Sequence, residues 1–461
     1  MDRSDIPLGV RVELAHAEIQ ATARAHHVDA LLVKGYAAAP GLYAPGRISS
    51  DVDALVHPEH AQRMVEALRS RGWETVSTFR SGSLFRHAQT MRHPSWGLVD
   101  VHRSFPGFEL APGELFDRLW SRRVRREIAA FPCDVPATLD HALVILVHAA
   151  RSPESRQQDV GHLSEVLNPE DWRLLEERAR ELSASVAHAA ATGHLARYRD
   201  HPSHDLWLVL SQEGSRSQEW RARMRAATTP WGKLRVALRA PLPNVDHLRM
   251  DLEREPTVVD IARATLARPA TAVRDLVGGR ARRRVDAEGG AASSGVTPDP
   301  HTAESPGPDP SPTAPTLQDQ ASAGESSWAH GDPPGDVRRE QTGSPSSWLV
   351  RADEPGEEGS EVHRASPPGT LRPAPDVAAV ELPEIPEVPG SGGVCLARVP
   401  GGRPLVLNDS AALIWSAALN VPENEVVDAV ARTTGQEPET VRPDVLRFTS
   451  SLVTQGFLRR G

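Results

Sequence analysis

Aromatic residues are scarce in this chain, and apolar residues as a whole are few. Phe, Trp and Tyr make up 5 % of the 461 residues, and all hydrophobic residues together make up 39 %. A chain of this length is too long for one ordinary core, so two or three folded units are expected. The low apolar content also predicts that a large part of the chain buries too little surface to fold.

Cysteine is nearly absent, because only Cys133 and Cys395 occur and they lie far apart. This argues against a disulfide framework and against a cysteine metal site, and it suits a reducing compartment. The chain also has no apolar run long enough to span a membrane and no apolar signal segment at its start. The sequence therefore predicts a cytoplasmic protein without a membrane partner. The net charge of −9 gives no general basic surface, so nucleic acid is not expected as a partner.

Two carboxylates stand two residues apart in a predicted strand. The apolar run Ala30–Val33 predicts a first strand, and Asp51 and Asp53 then lie in a second one. Residues i and i+2 share one face of a strand, with Cα atoms about 7 Å apart, so both carboxylates can reach one divalent cation. Carboxylate oxygens and substrate phosphates are the usual ligands of Mg²⁺.

A third acidic residue lies in a later apolar stretch. Residues Gly97–His102 predict another strand, on which Asp100 and His102 share a face. These positions resemble, in order, the signature of bacterial nucleotidyltransferases with a DNA polymerase beta-like fold. The residues that carry the resemblance are Lys34, Gly35, Tyr43, Arg47, Asp51, Asp53, Asp100 and His102. The more usual Gly-Ser opening of that superfamily is replaced here by Lys34-Gly35.

This resemblance implies a catalytic site that uses Mg²⁺ and an NTP co-substrate. Asp51, Asp53 and Asp100 would be the catalytic and metal-binding residues. The residues implied to bind the nucleotide phosphates are Lys34, Gly35 and Arg47.

The apolar pattern predicts an α+β domain over residues 1–277. Its core, a mixed sheet, spans about 10–110, and a helical half spans about 111–277. His141 and His148 lie seven positions apart on one predicted helix. They are interpreted as packing or surface residues, with a metal site as the alternative.

Residues 278–376 are rich in Pro, Gly, Ser and acidic residues and contain few aliphatic ones. Such a segment cannot offset its ordering entropy by burial, so a disordered linker is predicted. A flexible coil of about 100 residues has a root-mean-square span of roughly 50–60 Å. We therefore expect it to act as a tether between two modules.

Residues 377–461 return to a globular pattern. Two short strands, Val394–Val399 and Pro404–Leu407, predict a hairpin, and three helices follow, which makes a small winged-helix-like unit. The segment Leu407–Trp415, LNDSAALIW, and the closing segment Phe448–Leu458 resemble the PqqD family.

Members of that family bind the leader segment of ribosomally synthesised, post-translationally modified peptides, lasso peptides among them, as an added strand. The resemblance implies a peptide-binding cleft between the hairpin and the third helix. Its residues would be Leu405, Val406, Leu407, Val441, Val445 and Phe448. Plain core packing is the other interpretation of these apolar side chains.

Together these features predict an enzyme, a Mg²⁺-dependent nucleotidyltransferase that acts in the biosynthesis or tailoring of such a peptide. Its expected partners are the precursor leader and other peptide-modifying enzymes. One alternative is a non-catalytic adaptor that binds nucleotide and leader peptide. Another is a nucleotidyltransferase that acts on RNA or on a small molecule. The three acids favour catalysis over the adaptor, and the acidic net charge disfavours RNA.

Overall fold

The computed structural model describes residues 6–79, 87–212, 216–226, 229–231, 233–234, 257, 260, 347–353, 369–382 and 392–460. Most of the predicted linker 278–376 lies outside this set. All described residues belong to one compact unit, formed by residues 1–275 and 346–461. Among them, no helix combines the length and apolar character that a bilayer crossing needs.

A five-stranded sheet forms the centre of the N-terminal part. Helix α1 (Leu8–Ala25) precedes β1 (Ala30–Val33) and β2 (Asp51–Val56), and α2 (Ala61–Ser70) follows them. The remaining strands are β3 (Glu74–Thr75), β4 (Ala88–His93) and β5 (Gly97–His102). The strand order is β1-β2-β5-β4-β3, with β2 and β5 parallel and the other pairs antiparallel. This mixed sheet confirms the predicted α+β class.

Side-chain alternation along the strands separates two cores. Ala30 and Leu32 of β1 belong to the apolar cluster of α1 and α2, whereas Leu31 and Val33 belong to the cluster of the later helices. On β2 and β5 the residues Val52, Ala54, Val99 and Val101 take the α1 side. Because neighbours along a strand point to opposite faces, Asp53 and Asp100 lie on the side of the later helices.

The part of the chain with the later helices begins with α3 (Pro112–Trp120). A hairpin of β6 (Val124–Ile128) and β7 (Phe131–Val135) follows, and then α4 (Thr138–Ala149). Then come α5 (Pro153–Ser155), a π-helical turn Arg156–Val160, α6 (Gly161–Val166), α7 (Pro169–Glu181), α8 (Ser185–Ala191), α9 (His204–Ser211) and α10 (Arg216–Ala226). Helix α7 starts at a capping box, in which Asn168 and Asp171 each bond the other's backbone N–H.

The C-terminal part contains α11 (Trp348–Arg351), β8 (Leu371–Pro373), β9 (Val377–Leu382), β10 (Gly393–Arg398) and β11 (Leu405–Asn408). Three helices follow, α12 (Asp409–Asn420), α13 (Val426–Thr434) and α14 (Pro438–Thr454), and the last strand is β12 (Leu458–Arg460). The strands form a sheet of order β11-β10-β9 and a pair β8-β12. The predicted hairpin is β10-β11, and the sequence analysis missed β8, β9 and β12.

Two stretches of the predicted linker 278–376 take part in packed structure. Residues 347–353 contain α11, whose Leu349 is fully buried against the later helices, and residues 371–373 form β8. The prediction of disorder therefore does not hold for these two stretches. Both lie next to Pro- and Gly-rich sequence, and each has one leucine, Leu349 or Leu371, that is buried by distant parts of the chain.

Candidate active site

The turn after β1 supplies the first cation of the site. Lys34 has a φ of 63° and Gly35 a φ of 51°, so two successive residues are left-handed. A Cβ at Gly35 would lie 2.7 Å from the Ser49 hydroxyl oxygen, which explains the glycine. The backbone N–H of Lys34 donates to Nε2 of His141 in α4 over 2.8 Å. Backbone strain held by its surroundings in this way is common at functional sites.

Three potential metal ligands converge where β2 and β5 run parallel. Asp53 is directly paired with Asp100 in the register, and ligand atoms of Asp53, Asp100 and His102 lie within 4.8 Å of one another. Oδ1 of Asp53 lies 2.7 Å from Nε2 of His102 and 2.8 Å from the Lys34 ammonium. Burial favours the neutral form of Asp53, but Lys34 and His102 together outweigh it and lower the pKa of this carboxyl below its usual range.

Asp51, also predicted as a metal ligand, stands beside this group of three but outside it. Asp51 is the first residue of β2. Its register partner on β5 is Leu98, two positions before Asp100. Burial raises the pKa of the Asp51 carboxyl to about 6, and the nearby charge of Asp53 adds to the rise. A cation bound among these carboxylates would relieve that repulsion.

A cavity of about 410 Å³ opens beside the acids, and this volume suits a small-molecule ligand. Its lining includes five of the six residues predicted for the catalytic site, namely Lys34, Gly35, Arg47, Asp51 and Asp53. The Arg47 guanidinium lies over the Tyr43 ring, 4.0 Å from its centroid, and forms an ion pair with Asp159. Both predicted phosphate-binding cations therefore border the same cavity.

The side chains present fit a divalent cation. Asp53 and Asp100 offer carboxylate oxygens and His102 an imidazole nitrogen, a mixed set that such cations accept. Lys34 and His102 both contact Oδ1 of Asp53. The residues that would hold the cation are thus Asp53, Asp100 and His102.

Comparison with known protein families agrees with this geometry. Residues 10–200 match a family described as an uncharacterised nucleotidyltransferase. Residues 393–458 match the family of coenzyme PQQ synthesis protein D, PqqD. The chain joins a nucleotidyltransferase domain to a PqqD domain. Both predicted resemblances, and the predicted assignment to the nucleotidyltransferases, are thereby confirmed.

Two solved structures are similar to part of the chain. One is the lincosamide antibiotic adenylyltransferase LnuA with lincomycin bound, at 14 % identity over 38 % of this chain and 96 % of that one, with a TM-score of 0.21. The other is the antibiotic-resistance factor ANT(2'')-Ia, at 16 % identity over 42 % and 98 %, with a TM-score of 0.24. These scores are too low to carry an argument about substrate. No curated protein matches the chain.

Some residues of the nucleotidyltransferase domain contact the site although the sequence analysis did not assign them to it. Thr90 of β4 donates from Oγ1 to Oδ1 of Asp100 over 2.6 Å, and His148 of α4 lines the cavity. The seven-residue spacing of His141 and His148 was the available signal, because it puts both on one face of α4. Thr90 gives no such signal, since its position depends on how β4 pairs with β5.

The six residues predicted to bind peptide divide between two apolar clusters. Leu405, Leu407, Val441, Val445 and Phe448 share the internal cluster of the PqqD domain, so β11 and α14 do lie together. Val406 packs instead against the cluster of α1. Leu407 and Val445 are 3 % and 1 % exposed and therefore serve as core residues, whereas Leu405 and Phe448 are half-buried.

Proposed function

We propose that this protein is a Mg²⁺-dependent nucleotidyltransferase of the cytoplasm that modifies a ribosomally synthesised precursor peptide, with the PqqD domain holding the leader segment. One observation carries the proposal. The same chain contains an acid cluster beside a cavity lined by Lys34 and Arg47 and a PqqD domain whose strand β11 pairs, among the described strands, with β10 alone. An edge strand of this kind accepts a peptide by strand addition.

In the proposed reaction, a nucleophilic group of the peptide attacks the α-phosphorus of the NTP. The bond from that phosphorus to the bridging oxygen breaks, and pyrophosphate leaves with its electrons. A bound divalent cation supplies charge neutralisation at the phosphates. Lys34 and Arg47 bind phosphate oxygens from the cavity wall. Asp100, whose Oδ1 is fixed by Thr90, orients the attacking group, and Asp51 accepts its proton at a carboxylate oxygen.

The test uses the full chain, Mg²⁺, each of the four labelled NTPs in turn, and a precursor peptide encoded beside the gene. Label should pass to the peptide, and Asp53→Asn should abolish transfer because Lys34 loses its partner and the cluster loses a charge. Asp117→Asn is the matched control, since that side chain is 71 % exposed on α3 and should leave transfer unchanged. Nucleotide transfer by Asp53→Asn at the normal rate would refute the assignment of Asp53 to the catalytic site.

Two other outcomes would replace this function. Nucleotide binding without turnover in any mixture would favour the adaptor interpretation. Transfer to RNA or to a small molecule, with none to the peptide, would keep the enzyme class and change the acceptor.

A further inference from the structure

The sheet of the PqqD domain is buried on both faces. One face packs on the helices of its own domain through Val377, Ala379, Val394, Leu396, Leu405 and Leu407. The opposite face belongs to the same apolar cluster as α1, β6 and β7, through Ala378, Val380, Leu382, Cys395, Ala397, Val399 and Val406. A freely tethered domain would expose this second face to water as an apolar patch.

Polar contacts fix the orientation of this packing. At the edge of the sheet, the backbone N–H of Ala379 in β9 donates to the carbonyl of Ala129 in the β6–β7 turn over 2.8 Å. At the far end of β10, the N–H of Gly401 donates over 2.8 Å to Oε2 of Glu18, which is 1 % exposed on α1. A buried carboxylate would be costly without such a partner. The two bonds attach the sheet at two separate points, one to the β6–β7 turn and one to α1.

A second attachment lies just before the domain, in residues 347–353. Both carboxylate oxygens of Asp353 accept from Thr138 at the start of α4, each over 2.7 Å. Asp171 of α7 accepts from the Ser347 hydroxyl and from the backbone N–H of Leu349, over 2.5 Å and 3.2 Å. The indole of Trp348 lies against Gly41, which lines the catalytic cavity.

We propose that the PqqD domain works as a docked part of the catalytic body and presents its peptide from a fixed position, rather than as an arm on a tether. Docking uses the β9 edge and one sheet face, whereas β11 is the opposite edge of the same sheet. A peptide can therefore add to β11 without displacing the catalytic domain. The part of the inference that concerns the peptide rests on the proposed function, and the docking itself does not.

Cys395 is a reporter for docking, because its side chain is 0 % exposed on the face that packs against α1. The other cysteine, Cys133, is also buried and is removed by Cys133→Ser. A protease site introduced within residues 300–320 allows the full chain to be cut. After cutting, the two fragments should elute together on dilution, and Cys395 should resist a maleimide until denaturant is added. Separate fragments, or a Cys395 thiol that labels as fast as an exposed one, would overturn docking.

Ala397→Glu should break the interface, because Ala397 is 0 % exposed on the docked face. The cut variant should then separate, and its Cys395 should label rapidly. Ser416→Glu, on an exposed position of α12, is the matched control and should behave as the parent. If Ala397→Glu fails to fold, the cut parent protein still decides the question.

The peptide part has its own readout. With a docked domain, cutting should leave nucleotide transfer to the precursor unchanged even in dilute solution. With a tethered one, transfer should fall on dilution and recover when more C-terminal fragment is added. Co-eluting fragments that transfer nothing before or after the cut would refute the proposed function and leave docking in place.

Discussion

At the scale of single residues, Glu18 links stability to pH through the interface between the two domains. Burial raises the pKa of its carboxyl above the ordinary value, so the folded state holds the proton more tightly than the unfolded one. Its stabilising contribution is complete below the unfolded pKa and is lost as pH rises through the folded pKa. Glu18→Gln keeps an acceptor for Gly401 and cannot ionise. We expect its advantage in free energy of unfolding over the parent to grow as pH rises from about 4 to about 8.

Thermal unfolding across that pH range measures the effect. Glu66→Gln on the exposed side of α2 is the control and should give the pH dependence of the parent. Parallel curves for Glu18→Gln and the parent would mean that Glu18 does not carry the linkage.

The turn between β6 and β7 stores strain in two alanines. Ala129 and Ala130 have φ values of 54° and 53°, as in a type I′ turn, where Asn-Gly is the preferred pair. Ala130 is exposed, so Ala130→Gly loses no packing. We expect a gain of about 0.5–1 kcal/mol in the free energy of unfolding, measured with urea. Ala196→Gly, in the short helix Leu195–Tyr198, should instead destabilise, and a gain there too would contradict the strain argument.

At the scale of elements, helix α4 depends on a residue that is 215 positions away in sequence. No side chain at Ala137 caps the helix, and Asp353 accepts from the N–H and the hydroxyl of Thr138 instead. Asp353→Ala should cost about 1 kcal/mol of stability, the usual value of a lost cap. Asp353→Asn keeps one acceptor and should cost less. Urea unfolding of the three proteins measures this, and equal stability of all three would show that the cap is not formed in solution.

The Asp353–Thr138 contact is linked to the candidate active site through α4. This helix also carries His141, which accepts from the Lys34 backbone N–H, and His148, which lines the cavity. The segment 347–353 is therefore a structural part of the nucleotidyltransferase domain although it follows the low-complexity sequence. Composition alone could not reveal this, since Trp348–Val350 is a run of only three apolar residues within a long polar stretch.

Local patterns nevertheless predicted most of the central sheet. Alternation along two strands was enough to put Asp51 with Asp53, and Asp100 with His102, on common faces. The pairing of Asp53 with Asp100 could not be predicted from the sequence, because it depends on the register of β2 against β5. Docking was missed for a related reason. The strand Val394–Val399 is apolar at almost every position, and such a run does not tell which partner covers each face.

At the scale of the whole molecule, the acids and the PqqD domain lie on opposite sides of the central sheet. Asp53 and Asp100 lie on the side covered by α4, whereas the PqqD sheet packs against α1 on the other side. A peptide held along β11 must therefore pass both the α1 layer and the central sheet to reach the cavity. Each layer is about 10 Å thick, so the path is at least about 20 Å.

For the proposed peptide substrate, this geometry sets a minimum distance in sequence between the leader and the residue to be modified. An extended chain advances about 3.3 Å per residue, so about six residues are the shortest spacer that reaches the cavity. Shortening the precursor below this length should abolish nucleotide transfer, while calorimetry should show unchanged leader binding, because β11 and its cleft are untouched. A Gly/Ser spacer of the original length is the control and should keep transfer, since reach and not sequence is required. A domain on a long tether would accept every spacer length, so transfer that persists in the shortest precursor would contradict the docked geometry.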